Sequence, residues 1–120
     1  MHSSLEPSKA EVDIDLTQLS SMMLYSEVSA ISLYPQEYNG KTICIKGFVS
    51  QYRTPFEPDK DCFGIVVTDS TGCCQQGIQF ILKEDQEYPA IGSEITIQGQ
   101  LETYQQGEME YCRMVQAEIQ

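Results

Sequence analysis

Apolar residues along this chain follow two different periods. Over 16–34, Leu16, Leu19, Met23, Leu24, Val28, Ile31 and Tyr34 fall on one half of a helix circumference, with Glu27 intruding. This predicts an amphipathic helix. It would begin after Asp15, with Gln18 as a capping-box partner, and Ser20 or Ser21 is a competing cap. Pro35 ends it, because proline disfavours helical geometry in the residue before it. The stretch 1–12 carries Ser, Pro, Glu and Lys with little apolar content and reads as a flexible leader.

From the Asn39-Gly40 turn signal onward the period is two. Ile43, Ile45 and Val49 point one way, against Cys44, Lys46 and Phe48. Gly47 in mid-strand suggests a bulge or sharp coil. The prolines and charges of 52–60 predict a loop. Further strands follow, carrying Phe63, Ile65 and Val67, then Ile78, Phe80 and Leu82, then Ile95, Ile97 and Leu101 around Gly99. The last strand runs from about Met109 to Ile119, with Val115, Ala117 and Ile119 on one face. Short strands with mid-strand glycines suit closure, because glycine lets a strand bend at a corner and closure removes bare edges. The expected fold is mainly β: a five-stranded OB-fold-like Greek-key barrel with the N-terminal amphipathic helix plugging its mouth. It would be a single domain over 13–120. An SH3-like barrel or a small sandwich is the alternative that the same strand count permits.

Charge narrows the partners. Acidic residues number 18 against 7 basic ones, a formal net charge of −11. That argues against a general nucleic-acid binder, which neutralises phosphates with Lys and Arg, and against docking on anionic lipid. No apolar run approaches the roughly 20 residues of a membrane helix. The single histidine, His2, leaves no histidine acid–base or multi-histidine metal chemistry. Neither a nucleophile elbow nor a phosphate loop nor a dinucleotide fingerprint occurs, so no catalytic residue is assigned. The paired carboxylates Asp59/Asp61, Glu84/Asp85 and Glu108/Glu110 read as solvated turns.

A family resemblance runs through Asp15-Leu16-Thr17, Ser20-Ser21-Met22, Tyr25-Ser26-Glu27-Val28 and Glu102-Thr103-Tyr104, and three longer segments carry most of it. They are Tyr38-Asn39-Gly40-Lys41-Thr42, the run from Thr68 through Cys73-Cys74-Gln75-Gln76-Gly77 to Phe80, and Gly92-Ser93-Glu94-Ile95-Thr96-Ile97. With Tyr111-Cys112, they resemble a family of uncharacterised bacterial OB-fold proteins, often exported lipoproteins. The resemblance covers nearly everything after residue 13 and implies an OB barrel. It also implies an extracellular or cell-surface address if an export signal was removed, and a cytoplasmic one otherwise. Cys73, Cys74 and Cys112 match recurring positions of that family; Cys44 and Cys62 do not.

Five cysteines form an odd set. In an OB barrel the third strand lies parallel to the fifth, so Cys73 and Cys74 would start near Cys112. A disulfide from Cys112 to one of the pair is the favoured expectation, with Cys74 preferred on strand parity. A thiolate site for Zn²⁺ or Cu⁺ on the same three residues is the alternative. Cys44 and Cys62 are expected unpaired, with Cys62 at least partly exposed. OB barrels bind ligands across the second and third strands and the flanking loops. The candidate ligand surface is therefore Tyr52, Arg53, Phe56, Tyr104 and Tyr111, whose rings would stack on a ligand or else pack the barrel ends. The resulting expectation is a non-enzymatic binding or accessory module for a protein or small ligand. A thiolate metal domain and an atypical single-strand binder are the alternatives.

Overall fold

A computed structural model describes residues 12–55, 57–69 and 71–120. The leader and Phe56 therefore lie outside the described residues, apart from Val12. In chain order the elements are β1 (Ile14–Asp15), α1 (Ser21–Leu33), α2 (Pro35–Tyr38), β2 (Thr42–Thr54), β3 (Glu57–Thr68), β4 (Gln75–Leu82), β5 (Glu94–Gln106) and β6 (Met109–Ile119). The protein is mainly β, and its strands form one mixed sheet in the order β1-β2-β3-β4-β6-β5. A further pairing of β2 with β5 carries the hydrogen-bonded ladder back to its second strand. β4 and β6 run parallel, as expected for the third and fifth long strands.

β2 is shared between two partners. Its first half, from Thr42 to Phe48, pairs with β5, and from Phe48 onward it pairs with β3. Gly47 sits at that changeover, where a Cβ would lie 2.6 Å from the Val66 carbonyl oxygen and 2.9 Å from Ile65. The glycine is required by close approach of β3, and this is the reason for the mid-strand interruption.

The inner face of the sheet follows the two-residue period. Ile43, Ile45, Ile65, Phe80, Ile97 and Leu101 are buried in one cluster, joined by Val28 and Ile31 of α1, with Leu24 packed against it. The helix lies on β3, β4 and β6.

Several sequence expectations are corrected. The helix starts at Ser21, because the Ser20 hydroxyl accepts the Met23 N–H at 3.3 Å, while Asp15 is committed to Thr17 through backbone and hydroxyl bonds of 2.9 and 2.6 Å. Leu16 is buried but not helical, and Met23 and Tyr34 of the expected stripe are exposed. Pro35 ends α1 and also opens α2, where its lacking N–H is harmless at a first-turn position. A sixth strand, β1, adds to the five expected: Ile14 and Asp15 pair in parallel with Ile43 and Cys44. The loop expected over 52–60 is instead an extended β2–β3 hairpin, in which Tyr52 pairs with Cys62 and Thr54 with Glu57. The run between Glu57 and Cys62 opposes only Tyr52–Thr54, so the excess residues, Pro58 among them, are taken up as a bulge in β3.

The last strand holds the other corner. Along β6 the buried positions are Met114 and Ala117, three residues apart, rather than Val115, Ala117 and Ile119. Gln98 pairs with Glu118 but Gln100 with Val115, so β6 carries one extra residue. Gln116 takes it up in a left-handed conformation, φ 53°. Gly99 faces this corner, and a Cβ there would lie 2.5 Å from Met114 Cγ.

Candidate functional site: a tyrosine-lined cleft on the outer sheet face

Residues of β2 to β6 that point away from the core meet in a cleft of about 340 Å³. It lies between the β2–β3 and β5–β6 hairpins. Tyr52 comes from β2, Cys62 from β3, Gln79 from β4, Tyr104 from β5, and Tyr111 and Arg113 from β6. Alternation alone makes each of these the outward partner of a core residue. What brings them together is register: Tyr104 pairs directly with Tyr111, Gln79 with Arg113, and Tyr52 with Cys62.

The polar groups of the cleft are interlocked. The Tyr104 and Tyr111 rings are tilted with centroids 5.7 Å apart. The Tyr104 hydroxyl donates to Gln79 Oε1 at 3.3 Å. Arg113 lies over the Tyr104 ring, 4.4 Å from its centroid, and donates from Nε and Nη2 to Glu102 Oε2 at 3.0 and 2.9 Å. Burial pushes the Tyr52 phenol up to about 12, with smaller contributions from Cys62 and Tyr104. The Tyr104 phenol is raised too, again by burial, although Arg113 opposes it. Both hydroxyls therefore stay protonated at neutral pH, so the cleft presents rings, hydroxyls and amides rather than charged nucleophiles.

Of the expected ligand surface, Tyr52, Tyr104 and Tyr111 come together here. Arg53 does not line the cleft; it pairs with Asp61 across the hairpin at 2.8 Å. Phe56 falls outside the described residues. Gln79, Arg113 and Cys62 were missed by sequence reasoning. Their outward parity was visible, Gln79 between Ile78 and Phe80 for example, but the register that joins three strands was not. Cys62, expected at least partly exposed, is buried at 5% because Tyr52 and the cleft walls cover the outer face at that point.

The cysteine constellation does not assemble. The pairing of Gln79 with Arg113 sets Cys112 beside Ile78. Cys74 precedes Ile78 by four residues, about 13 Å along a strand. A disulfide needs Cα atoms within about 7 Å. The direction differs as well: Cys112 packs against the core, whereas Cys73 and Cys74 are exposed. The starts of β4 and β6 are offset along the strand direction, which overturns the expected Cys112 bridge, and all five cysteines are free. Among the described residues no group of three or more Cys, His, Asp or Glu side chains is placed to hold a metal ion.

Cys73 and Cys74 instead end a turn organised by Asp69. Its Oδ1 accepts the N–H groups of Thr71, Cys73 and Cys74 at 3.2, 3.1 and 3.4 Å. The Thr71 hydroxyl bond, with those backbone donors, holds the Asp69 carboxyl below its usual range. The Cys74 thiol is raised, first by its hydrogen bond with Cys73 and then by the Asp69 charge. Burial pushes the Cys112 thiol up to about 11. Raised thiols are poor nucleophiles at neutral pH, since attack needs the thiolate.

A scan against the models of known protein families finds no match, and a search of curated proteins finds no related sequence. The bacterial OB-fold resemblance thus rests on the quoted segments alone.

Proposed function

We propose that this protein is a non-enzymatic binding module built on an OB-type barrel, with the tyrosine cleft as its ligand site. The observation that carries the reading is the convergence of Tyr52, Tyr104 and Tyr111 from separate strands into one concave site. A packed barrel end would leave no such space, and a cleft lined by rings and a few fixed polar groups is the usual form of a small recognition site. The strand order β2-β3-β4-β6-β5, with β5 returning to β2 and β4 parallel to β6, supports the OB reading. In that topology the cleft sits where OB barrels take their ligands, between the hairpin after the first strand and the one before the last. Export or surface anchoring in a bacterium belongs to the same proposal and rests on the resemblance; protease accessibility on intact cells tests it.

A fragment screen of the full chain by amide shift mapping tests the site without assuming a ligand. Hits are expected to move the resonances of Tyr52, Gln79, Tyr104 and Tyr111, and to be lost in Tyr104→Ala. Hits that gather elsewhere, for instance at the Asp69–Cys74 turn, would overturn the assignment.

A further inference from the structure

The geometry points to an extended, basic stretch of polypeptide as the occupant of the cleft, its lysine or arginine stem on the tyrosine rings and its charge directed to Glu57. This rests on the cleft being the ligand site, and it names the class of partner. The first support is electrostatic. Among the described residues lining the cleft, Arg113 is the one that is basic, and its guanidinium is already committed to Glu102 and to the face of Tyr104. Among the described residues no free cation remains there for a phosphate or carboxylate.

Glu57 lines the same cleft, and its carboxylate joins none of the ion pairs among the described residues. Its backbone N–H, by contrast, is bound to the Thr54 hydroxyl at 3.2 Å, which fixes the residue at the cleft wall. The protein as a whole carries −11, so a basic ligand is drawn in and an anionic one repelled.

Shape is the second support. Past Tyr52 and Gln79 the cleft continues into a groove of about 200 Å³ across β2, β3 and β4. Gly64 and Gly77 line that groove and raise no side chain from its floor. A groove running on from the cleft across three strands suits an extended chain better than a compact ligand. Aromatic walls with one free carboxylate are the chemistry that holds a long cationic side chain, because its methylenes lie on rings while its head reaches the charge.

An alternating Lys-Pro peptide of about ten residues is the probe, since proline keeps it extended. A Glu-Pro peptide of equal length, spermine and an oligothymidylate are the comparisons. The Lys-Pro peptide is expected to bind saturably, with amide shifts confined to the cleft and groove, and to outcompete spermine. Tyr111→Ala should weaken it about tenfold. Glu57→Gln should weaken it about three- to fivefold, and Glu94→Gln, the same charge change at the far end of β5, less than about twofold. Equal losses in Glu57→Gln and Glu94→Gln, or shifts spread over the whole acidic surface, would reduce the binding to diffuse attraction and overturn the inference. So would tighter cleft binding by the Glu-Pro peptide or the oligothymidylate. If fragments occupy the cleft but the Lys-Pro peptide does not, this inference alone fails; if nothing enters the cleft, the binding-site assignment fails with it.

Discussion

The two faces of the same strands obey different rules. On the inner face Ile45, Ile65, Phe80 and Ile97 meet Val28 and Ile31, every one of them at 1% exposure or less. On the outer face Tyr52 and Tyr111 each remain 38% exposed, and polar groups pair with one another across strands. The inner face is fixed by exclusion of water, which is non-directional and tolerates any alternation that puts apolar atoms inward. The outer face is fixed by register, since Gln79 meets Arg113 only if β4 and β6 align as they do. A core is therefore a property of each strand, and a site is a property of the pairing between strands.

The largest test places one charge on each face. Val28→Asp buries a carboxylate without a partner and should cost on the order of 4 kcal/mol, enough to leave little folded protein. Tyr111→Asp puts the same charge on the outer face, where water reaches it, and should cost about 1 kcal/mol or less. Thermal melting of the two side by side checks this. Equal shifts in Tm would mean that the helix does not cover the core as described.

Gly99→Ala is next. Its new Cβ would meet Met114 Cγ at 2.5 Å and Sδ at 2.8 Å, inside the core where the side chain has little room to yield. The expected loss is about 2 kcal/mol, measured by urea unfolding. The nearest obstacle is a flexible side chain, with the Val115 carbonyl oxygen behind it at 3.0 Å, so Gly99→Ala combined with Met114→Ala should be less destabilised than the sum of the two single changes. Strict additivity would show that the Val115 carbonyl, rather than Met114, sets the cost.

Much of this was legible in the sequence, and unevenly. Ile43, Ile45 and Val49, then Phe63, Ile65 and Val67, could be assigned to one face because alternation is local. Spacing allows a cap at Ser20 or at Asp15; the Asp15–Thr17 turn, held by bonds to the Asp15 carboxylate that spacing does not encode, decides for Ser20. Three of the ligand-surface residues were named from their aromatic character. Gln79, Arg113 and Cys62 escaped because nothing local marks which strands lie side by side or where they align. The Cys112 bridge failed on that same quantity: neighbouring parallel strands were expected and occur, but offset by four residues.

Cys112 gives a pH test of the boundary between the faces. Its thiol is pushed up to about 11, mainly by burial. The unfolded thiol ionises near its ordinary value of about 8.5. A raised folded pKa means that the unfolded state releases its proton first. The stability linked to this group is thus complete below about pH 8.5 and is lost as pH rises toward 11. The thiol is half exposed, so solvent screening holds the loss to on the order of 1 kcal/mol. Urea unfolding at about pH 8 and pH 10 should show a decline that is smaller in Cys112→Ser. An unchanged slope in the variant would assign the alkaline loss to other groups, the Tyr52 phenol first among them.

The smallest effect has the opposite sign and concerns the one place where inner-face alternation broke down. Gln116 holds φ at 53° so that β6 can absorb its extra residue and return Ala117 to the core three positions after Met114. A side chain in that conformation crowds its own carbonyl at a cost of about 1–2 kcal/mol, which glycine does not incur. Gln116 is exposed, so its side chain contributes little packing to offset this. Glycine also has more freedom to lose on folding, and that takes back part of the gain. Gln116→Gly should therefore stabilise the protein by about 0.5 kcal/mol, a rise of a few degrees in Tm. Gln116→Val, whose branched Cβ is worst suited to positive φ, should destabilise by more than that. If valine proved as stable as glycine, residue 116 would not be left-handed. The period-two assignment of Val115, Ala117 and Ile119 to one face would then stand after all.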